Sequence, residues 1–473
     1  MRIIGREREK EILEDAMYSG RPEFVAVYGR RRVGKTYLIR EFFRDDFVFQ
    51  LTGVSGRGTK TQLDYFCRAM NKYGKIGQAP AASWADAFES LSILLERTPV
   101  RKGERRIVFL DELSWLDSPR SEFLPALEHF WNTWGAAHPD FMLIVCGSAA
   151  SWFLKKLFRN RGGLHNRVTR RIRLLPFNLV ESEAFFQDRG IGFDRKQVAE
   201  AYMVFGGIPF YLNLFFQGRS VAQNVDMLCF GENAPLNDEF GELYHSLFRN
   251  SGKYIAIIQA LHAKQKGMTR DEIIEKTGLS SGGGLTDMLE ALEQSGFIYR
   301  HDDFSGEKDR YNYRLVDFFS SFYLQHMRGN KRTDSGHWAN FRGSGAYNNW
   351  IGYRFEVLCL LHVNAIKNKL GIPGVSSKIS SWRDNAKGSS LQIDLVIDRN
   401  DGVIDLCEMK YYSGPFAIDK AYAEKLTSRR DAFLRAVKTK KTIHHVLVAT
   451  DGLARGKYSH IIDFTVTLDD LYY

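Results

Sequence analysis

A short apolar, β-favouring run, Phe24-Val25-Ala26-Val27-Tyr28, leads directly into Gly29-Arg30-Arg31-Arg32-Val33-Gly34-Lys35-Thr36 and then into the helical pattern Tyr37 to Phe43. Strand, Gly-x-x-x-x-Gly-Lys-Thr and helix in that order constrain this chain more than any other feature. They call for a parallel sheet flanked by helices, with the glycine-rich loop at the carboxyl edge of a strand. The residue types match the chemistry of a phosphate cradle. Gly29 and Gly34 let backbone N–H groups close around phosphates, with Arg32, Val33 and Tyr37 completing the loop and first helical turn. Lys35 supplies a point charge for the β- and γ-phosphates of ATP, and the Thr36 hydroxyl completes a Mg²⁺ shell.

Hydrolysis needs more than a cradle. A second apolar strand, Ile107-Val108-Phe109-Leu110, ends in Asp111-Glu112, which assigns Asp111 to the metal shell and Glu112 to polarising the attacking water. An acidic N-cap for the next helix is the bland alternative. A third strand, Met142 to Gly147, ends at Ser148 on the same predicted sheet edge. Ser148 is placed either to sense the γ-phosphate or to cap the helix that starts near Ala149.

The rest of the chain is too long for this one domain. At roughly 150 residues per domain, 473 residues predict about three. A hydrophobic content of 44% with 26% charged residues excludes disorder, and the net charge of +10 permits a polyanionic partner without demanding one. Five scattered cysteines, Cys67, Cys146, Cys229, Cys359 and Cys407, contain no C-x-x-C pair and read as free core thiols of a reducing compartment. The charged start Met-Arg-Ile-Ile-Gly-Arg-Glu-Arg-Glu-Lys is unlike a secretory signal, and the longest apolar run, about Phe141 to Leu154, is too short to span a bilayer. A cytoplasmic protein with no membrane partner is the expectation.

Several motifs together carry a family resemblance: Ile4-Gly5-Arg6-Glu7, the arginine-rich loop Tyr28 to Thr36, Leu110-Asp111-Glu112, Leu175-Pro176-Phe177 and Gly206-Gly207-Ile208-Pro209-Phe210-Tyr211-Leu212. Over roughly the first 215 residues the chain resembles the archaeal-type prokaryotic ATPases of the AAA+/STAND lineage. The resemblance implies ATP and Mg²⁺ as cofactors, and a helical lid after the core. It also implies that Arg167 completes the γ-phosphate site, although Leu164-His165-Asn166-Arg167 departs from the usual Leu-(Phe/Tyr)-Gly-Arg. Pro209 resembles the residue that reports nucleotide state to the following helices; a plain helix-breaking turn is its alternative. The segment Lys155 to Arg173 carries Lys155, Lys156, Arg159, Arg161, Arg167, Arg170, Arg171 and Arg173 with no acidic residue. It reads as a phosphate-facing loop that meets nucleotide across a subunit boundary or touches nucleic acid, or as a solvated loop offsetting acidic neighbours.

In the middle, Tyr254 to Leu261 has helical spacing, Thr269-Arg270-Asp271-Glu272 resembles a capping box, and Leu285, Met288, Leu289 and Leu292 mark a further helix. An alternating hairpin follows, from Gly296 to Arg314, in the order of a winged helix-turn-helix. Its recognition helix carries Asp287, Glu290 and Glu293 with no Arg or Lys, a poor surface for DNA. A relay module, or DNA contact through Arg300, Lys308 and Arg310 of the wing, are the two readings.

The last third brings a second set of carboxylates. Glu356 lies on a helix, and two strands carry Gln392-Ile393-Asp394 and Glu408-Met409-Lys410. Strand alternation puts Glu408 and Lys410 on one face, so a hairpin gathers them with Asp394. Carboxylates for Mg²⁺ beside a lysine are the kit for phosphodiester hydrolysis. Asp-(x)n-Glu-x-Lys after a helical glutamate resembles the PD-(D/E)XK nuclease core, which implies metal at Asp394 and Glu408 and catalysis by Glu356, Asp394, Glu408 and Lys410. Lys420, Lys425, Arg429 and Arg430 then read as DNA-backbone contacts or a solvated face. His444 and His445 are adjacent on a strand and point to opposite faces.

The expected architecture is therefore α/β throughout: a P-loop parallel-sheet core over residues 1–180, a helical subdomain over 181–245, a winged helix-turn-helix over 246–327 and a restriction-endonuclease-like domain over 328–473. DNA and further copies of the chain are the expected partners. A nucleotide switch or scaffold that binds DNA or protein without cleaving is the competing class.

Overall fold

The computed structural model describes residues 2–74, 81–101, 103–159, 164, 166–248, 250–304, 311–329, 336–384 and 391–473. The chain divides into two compact units: Met1–Pro176 with Gln294–Gly296, and Phe177–Glu293 with Phe297–Tyr473. The expected segments 181–245, 246–327 and 328–473 all fall almost wholly in the second unit. Arg161, His165, Lys308 and Arg310 lie outside the described residues.

In the first unit, β1 (Glu23–Tyr28), β2 (Phe49–Thr52), β3 (Arg106–Asp111), β4 (Phe141–Gly147) and β5 (Arg170–Arg173) form a wholly parallel sheet in the order β2-β3-β4-β1-β5. Every residue of β1 and β4 is buried, as expected of strands covered by helices on both faces. That explains their unbroken apolar runs. One side of the sheet packs an aromatic core that includes Phe24, Phe49, Phe66, Trp84, Phe88, Phe123, Phe130 and Phe141. Register pairs Tyr28 with Gly147 and Leu110 with Val145, so Gly29 and Ser148, which follow their strands, and Asp111, which ends β3, lie at one carboxyl edge. Gly29 has no room for a side chain. A Cβ there would lie 2.2 Å from the Leu174 carbonyl oxygen, because residue 174 continues the pairing of β5 by donating its N–H to Tyr28 O at 2.8 Å.

The second unit opens with helices Leu179–Asp188 and Arg195–Phe205, each started by a full capping box, Asn178 with Glu181 and Asp194 with Gln197. The Gly-Gly of the 206–212 motif has a packing reason. Phe177 donates its N–H to Gly207 O, and a Cβ on Gly207 would sit 1.9 Å from Phe177 O. Helices Ser251–Ala263, Arg270–Thr277 and Gly283–Gln294 follow, and both reciprocal bonds of the Thr269/Glu272 capping box are present.

Seven strands make the sheet of this unit: β6 (Ile298–Asp303), β7 (Tyr311–Leu315), β8 (Ser377–Arg383), β9 (Gln392–Arg399), β10 (Val403–Lys410), β11 (Thr442–Ala449) and β12 (Phe464–Thr467), in the order β12-β11-β10-β9-β8-β6-β7. The β6–β7 hairpin is not a free-standing wing. β6 pairs in parallel with β8 through Asp302↔Ser380 and Asp303↔Ser381, and His301 bonds Ser381 at 2.8 Å. An open strand edge seeks such a partner, and here the strand after the long helix Gly345–Leu361 supplies it. No described helix is long and apolar enough to cross a membrane.

Candidate functional site

At the carboxyl edge of the first sheet, Gly34 sits at the N-cap of helix Lys35–Phe43, and Lys35 is drawn inward until it is only 5% exposed. Its Nζ donates to Arg30 O at 2.8 Å and to Ser148 Oγ at 3.0 Å. Ser148 Oγ in turn donates to Glu112 Oε1 at 2.9 Å, and Ser148 N–H to Glu112 Oε2 at 3.3 Å. Thr36 Oγ1 donates to Asp111 Oδ2 at 2.9 Å, while Asp111 Oδ1 accepts the Glu112 N–H at 3.0 Å. Lysine, threonine, two carboxylates and serine thus form one connected network at the mouth of the loop.

The bland alternatives for Glu112 and Ser148 fail here. Glu112 precedes helix Leu113–Leu116 with φ +49° but makes no side-chain capping bond, and the helix after Ser148 has Ala149 at its uncapped N-cap. Both side chains are spent on each other. A non-glycine residue at positive φ carries backbone strain, which accumulates at functional sites. Burial pulls the Lys35 ammonium below its ordinary value against the attraction of Glu112 and Asp111, and burial pushes the Glu112 carboxyl up against the pull of Lys35. Thr36 Oγ1 beside Asp111 Oδ2 is a pair of hard oxygens suited to Mg²⁺.

Of the other residues singled out, Arg32 adopts φ +74° within the loop, Val33 O accepts from the buried Arg6 Nη2 at 3.2 Å, and Tyr37 is 40% exposed on the first helical turn. Arg6, of the Ile4-Gly5-Arg6-Glu7 motif, thereby ties the N-terminal stretch to the loop. Arg167 is exposed in the turn before β5. Pro209 belongs to the second unit and opens the short helix Pro209–Leu212. Much of the basic segment serves structure: Arg170 lies 3.7 Å from the buried Glu23, Arg171 stacks over Phe158 at 4.4 Å, and Arg173 donates to Gln294 O at 3.0 Å.

In the second unit, pairing of β9 with β10 sets Asp394 next to Glu408 and Lys410, while Glu356 comes from helix Gly345–Leu361. Glu408 accepts from Lys410 at 2.8 Å, from Arg429 Nη1 at 2.6 Å and from the Tyr422 hydroxyl. Glu356 and Asp394 share a different pair of cations. Lys266 Nζ lies 3.1 and 3.3 Å from the two Glu356 oxygens and 2.6 Å from Asp394 Oδ2; Arg314 Nη2 donates to Glu356 Oε2 at 2.9 Å, and Nη1 lies 3.9 Å from Asp394 Oδ1. Burial pushes the Asp394 carboxyl up, but Lys266 and Arg314 outweigh it and hold it below its ordinary value; Lys410 and Arg429 do the same for Glu408. Lys266 and Arg314 carry no motif. They come from the loop after helix Ser251–Ala263 and from β7, far from the carboxylates in sequence. A cavity of about 510 Å³ beside them is lined by Lys264, Lys266, Tyr353, Arg383 and Gln392 among others.

Residues 4–215 match the model of a family described as "ATPase domain predominantly from Archaea". The chain is 24% identical to an uncharacterized protein of Methanocaldococcus jannaschii, MJECL04, over 86% of this chain and 87% of that one. Among solved structures it is similar to the Walker-type ATPase PABY2304 of Pyrococcus abyssi, at 20% identity and a TM-score of 0.48 over 68% of this chain and 96% of the other. It is also similar to the ORC2 protein of Aeropyrum pernix, solved as ADPNP-ADP complexes, at 15% identity and a TM-score of 0.41 over 68% and 92%. Those structural likenesses are weaker than the family match, which falls on the segment that holds the Lys35 network. Over residues 4–215, the chain is thus similar to that ATPase domain family.

Proposed function

We propose that the protein binds ATP with Mg²⁺ and hydrolyses it at the Lys35 network. The carrying observation is that Lys35, Thr36, Asp111, Glu112 and Ser148, read separately from three strand ends, meet in one hydrogen-bonded cluster. Lys35 faces the β- and γ-phosphates, and the loop N–H groups close around them. Thr36 and Asp111 would hold Mg²⁺, which supplies charge neutralisation on the phosphates when bound. Glu112 accepts the proton of the attacking water, and Ser148 keeps its carboxylate aimed. Arg167, exposed before β5, is proposed to complete the γ-phosphate site, and Pro209 to sense nucleotide state. An exposed Arg167 suits a site completed by a second copy. A cytoplasmic location goes with this reading.

The test is steady-state hydrolysis with a separate nucleotide-binding measurement. Glu112→Gln keeps nucleotide binding and loses at least 100-fold in kcat, the contribution typical of a general base, while Lys35→Ala loses binding as well. Hydrolysis at the parental rate in either variant refutes the assignment.

We infer further that the second unit acts on DNA through a nuclease-like site of Glu356, Asp394, Glu408 and Lys410, with the 246–327 segment as a winged helix-turn-helix relay. The pairing of β9 with β10, which makes Asp394 and Glu408 neighbours, and the Lys266 ammonium shared by Glu356 and Asp394 support it. In the present arrangement that donor set does not fit a divalent ion. Each carboxylate already accepts from resident cations, and among the described residues no group of three or more such ligands is arranged to hold a metal. A switch that binds DNA or protein without cleavage is the competing reading. DNA incubated with ATP and Mg²⁺ or Mn²⁺ decides: product that is lost in Asp394→Ala and Lys410→Ala supports the nuclease, and product that persists in both refutes it.

A further inference from the structure

We propose that the cavity of about 510 Å³ in the second unit is an anion site, which seats the phosphate of a nucleotide, free or at the end of a strand. Such a site stands whether or not the neighbouring carboxylates act on DNA.

The lining sets the sign of the ligand. Lys264, Lys266 and Arg383 are cationic, Gln265, Gln392 and Tyr353 are polar, and among the described residues that line the cavity none is acidic. The charge behind the wall agrees. Lys264 holds Glu272 at 2.5 Å, while Lys266 and Arg314 share Glu356 and Asp394, so three carboxylates are matched by three cations. Arg354 and Arg383 come in excess, and neither makes an ion pair among the described residues. Arg354 is 2% exposed and donates from Nη2 to Gln265 Oε1 at 3.1 Å; burial beside Arg314 pulls its guanidinium down to about 9. A buried cation without a counter-charge is costly, and a phosphate monoester brings about two negative charges, which matches the excess. The donors are both reachable and fixed. Lys264 and Lys266 keep 41% and 31% of their side chains exposed, and Arg383 is half-buried. Met268 and Tyr313 exchange both backbone hydrogen bonds, at 2.9 and 2.8 Å, and a Cβ on Gly267 would lie 2.3 Å from Asn312 Oδ1, so the loop that bears Lys264 to Lys266 is tied to β7. With Oε1 bound to Arg354, Gln265 keeps its amide N–H₂ as a further donor. Two ammoniums, an amide and the forked guanidinium of Arg383 are the donor set that phosphate takes. Tyr353, whose ring centroid lies 5.5 Å from Lys266 Nζ, puts an aromatic group in the same wall, the pairing that recognises a base joined to a phosphate. The volume is that of an ordinary small-ligand site.

The test is calorimetric titration of the full chain carrying Lys35→Ala, which removes nucleotide binding at the P-loop. The probes are AMP, adenosine, and a short thymidine strand with and without a 5′-phosphate. In that background Arg383→Gln removes the unpaired cation of the cavity, Arg383→Lys restores its charge, and Lys378→Gln removes one charge from the same strand, β8, outside the cavity. Thermal melting verifies that each variant folds. Should Lys35→Ala fail to fold, the parent and Arg383→Gln are compared with AMP, which lacks the β- and γ-phosphates that Lys35 faces. One equivalent of AMP or of the 5′-phosphorylated strand is expected to bind, and to bind at least about tenfold more weakly in Arg383→Gln, with partial recovery in Arg383→Lys and no change in Lys378→Gln. Adenosine and the unphosphorylated strand are expected not to bind. Uptake of AMP assigns a free nucleotide, and uptake of the phosphorylated strand without AMP assigns a strand end. Phosphate-bearing probes that do not bind, that bind equally in Arg383→Gln, or that weaken as much in Lys378→Gln overturn the site.

Discussion

His362 makes the folded second unit acid-sensitive by a calculable amount. Its Nδ1 donates to Leu358 O at 2.8 Å and its Nε2 accepts the Leu179 N–H at 3.2 Å, so protonating Nε2 would set one N–H against another. Burial pulls the imidazole from its ordinary 6.5 down to about 4. The neutral form is therefore the folded form. Because the unfolded chain binds the proton more readily, the stability from this group is complete above pH 6.5 and is lost as pH falls toward 4. At 1.36 kcal/mol for each pH unit between the two values, His362 withdraws about 2 kcal/mol by pH 5 and about 3 kcal/mol in full. His362→Gln retains an acceptor for the Leu179 N–H and removes the titration. Urea denaturation at pH 7.5 and pH 5, followed by tryptophan fluorescence, should show the parent losing about 2 kcal/mol more than His362→Gln. Comparing the two proteins cancels the other histidines that burial lowers: His262 and His301, held near 4, His326, held near 3, and His445. Equal losses in the two proteins would refute the reasoning.

Three further outcomes are expected. Ser148→Ala removes the acceptor of Lys35 and the hydroxyl donor of Glu112, each a bond to a charged group of about 1.5–3 kcal/mol, so kcat for ATP should fall at least tenfold while nucleotide affinity changes little. Gly207→Ala forces a Cβ to within 1.9 Å of Phe177 O and should cost about 1–3 kcal/mol by displacing backbone, read as a lowered Tm. Of the five free cysteines, Cys67 alone is half-exposed, so a thiol reagent should label one group per native chain quickly and the other four only on unfolding.

How much of this was legible in the sequence depends on the reach of each interaction. Gly29 to Thr36, the Asp111-Glu112 strand end and the Thr269 capping box are local patterns, set by backbone geometry over a few residues, and they fold as they read. The carboxylate cluster was legible because alternation fixes faces and a hairpin fixes neighbours. Ser148 was ambiguous for a physical reason: a phosphate sensor and an N-cap occupy the same place, just past a strand, and only the bond to Glu112 separates them. Lys266 and Arg314 left no local signal, and the Ile4-Gly5-Arg6-Glu7 motif does not show what Arg6 binds. Their partners lie 128, 42 and 27 residues away for Lys266 to Asp394, Arg314 to Glu356 and Arg6 to Val33, and no periodicity spans such separations. The pairing of β6 with β8 was hidden likewise, since an alternating hairpin shows its own register and not what meets its edge.

That pairing bears on where a DNA backbone would be held. Arg300, read from sequence as a wing contact, points its guanidinium at Glu293 at 3.5 Å and stacks over Tyr311 at 4.6 Å, so its charge is already committed. On helix Lys420–Val437, Arg429 is bound to Glu408 and Arg430 to Asp431, whereas Lys420 is 76% exposed with only Glu424 at 3.9 Å, and Lys425 is exposed. Each phosphate contact contributes about 0.9 to the slope of log affinity against log salt. If DNA is held at the second unit, changing Lys420 and Lys425 together to alanine should lower that slope by about 2, and Arg300→Ala should leave it unchanged. Binding isotherms from 50 to 300 mM salt, roughly the range over which such contacts are resolved, measure both. A slope that falls with Arg300→Ala and holds when both lysines are removed would return the backbone contact to the hairpin.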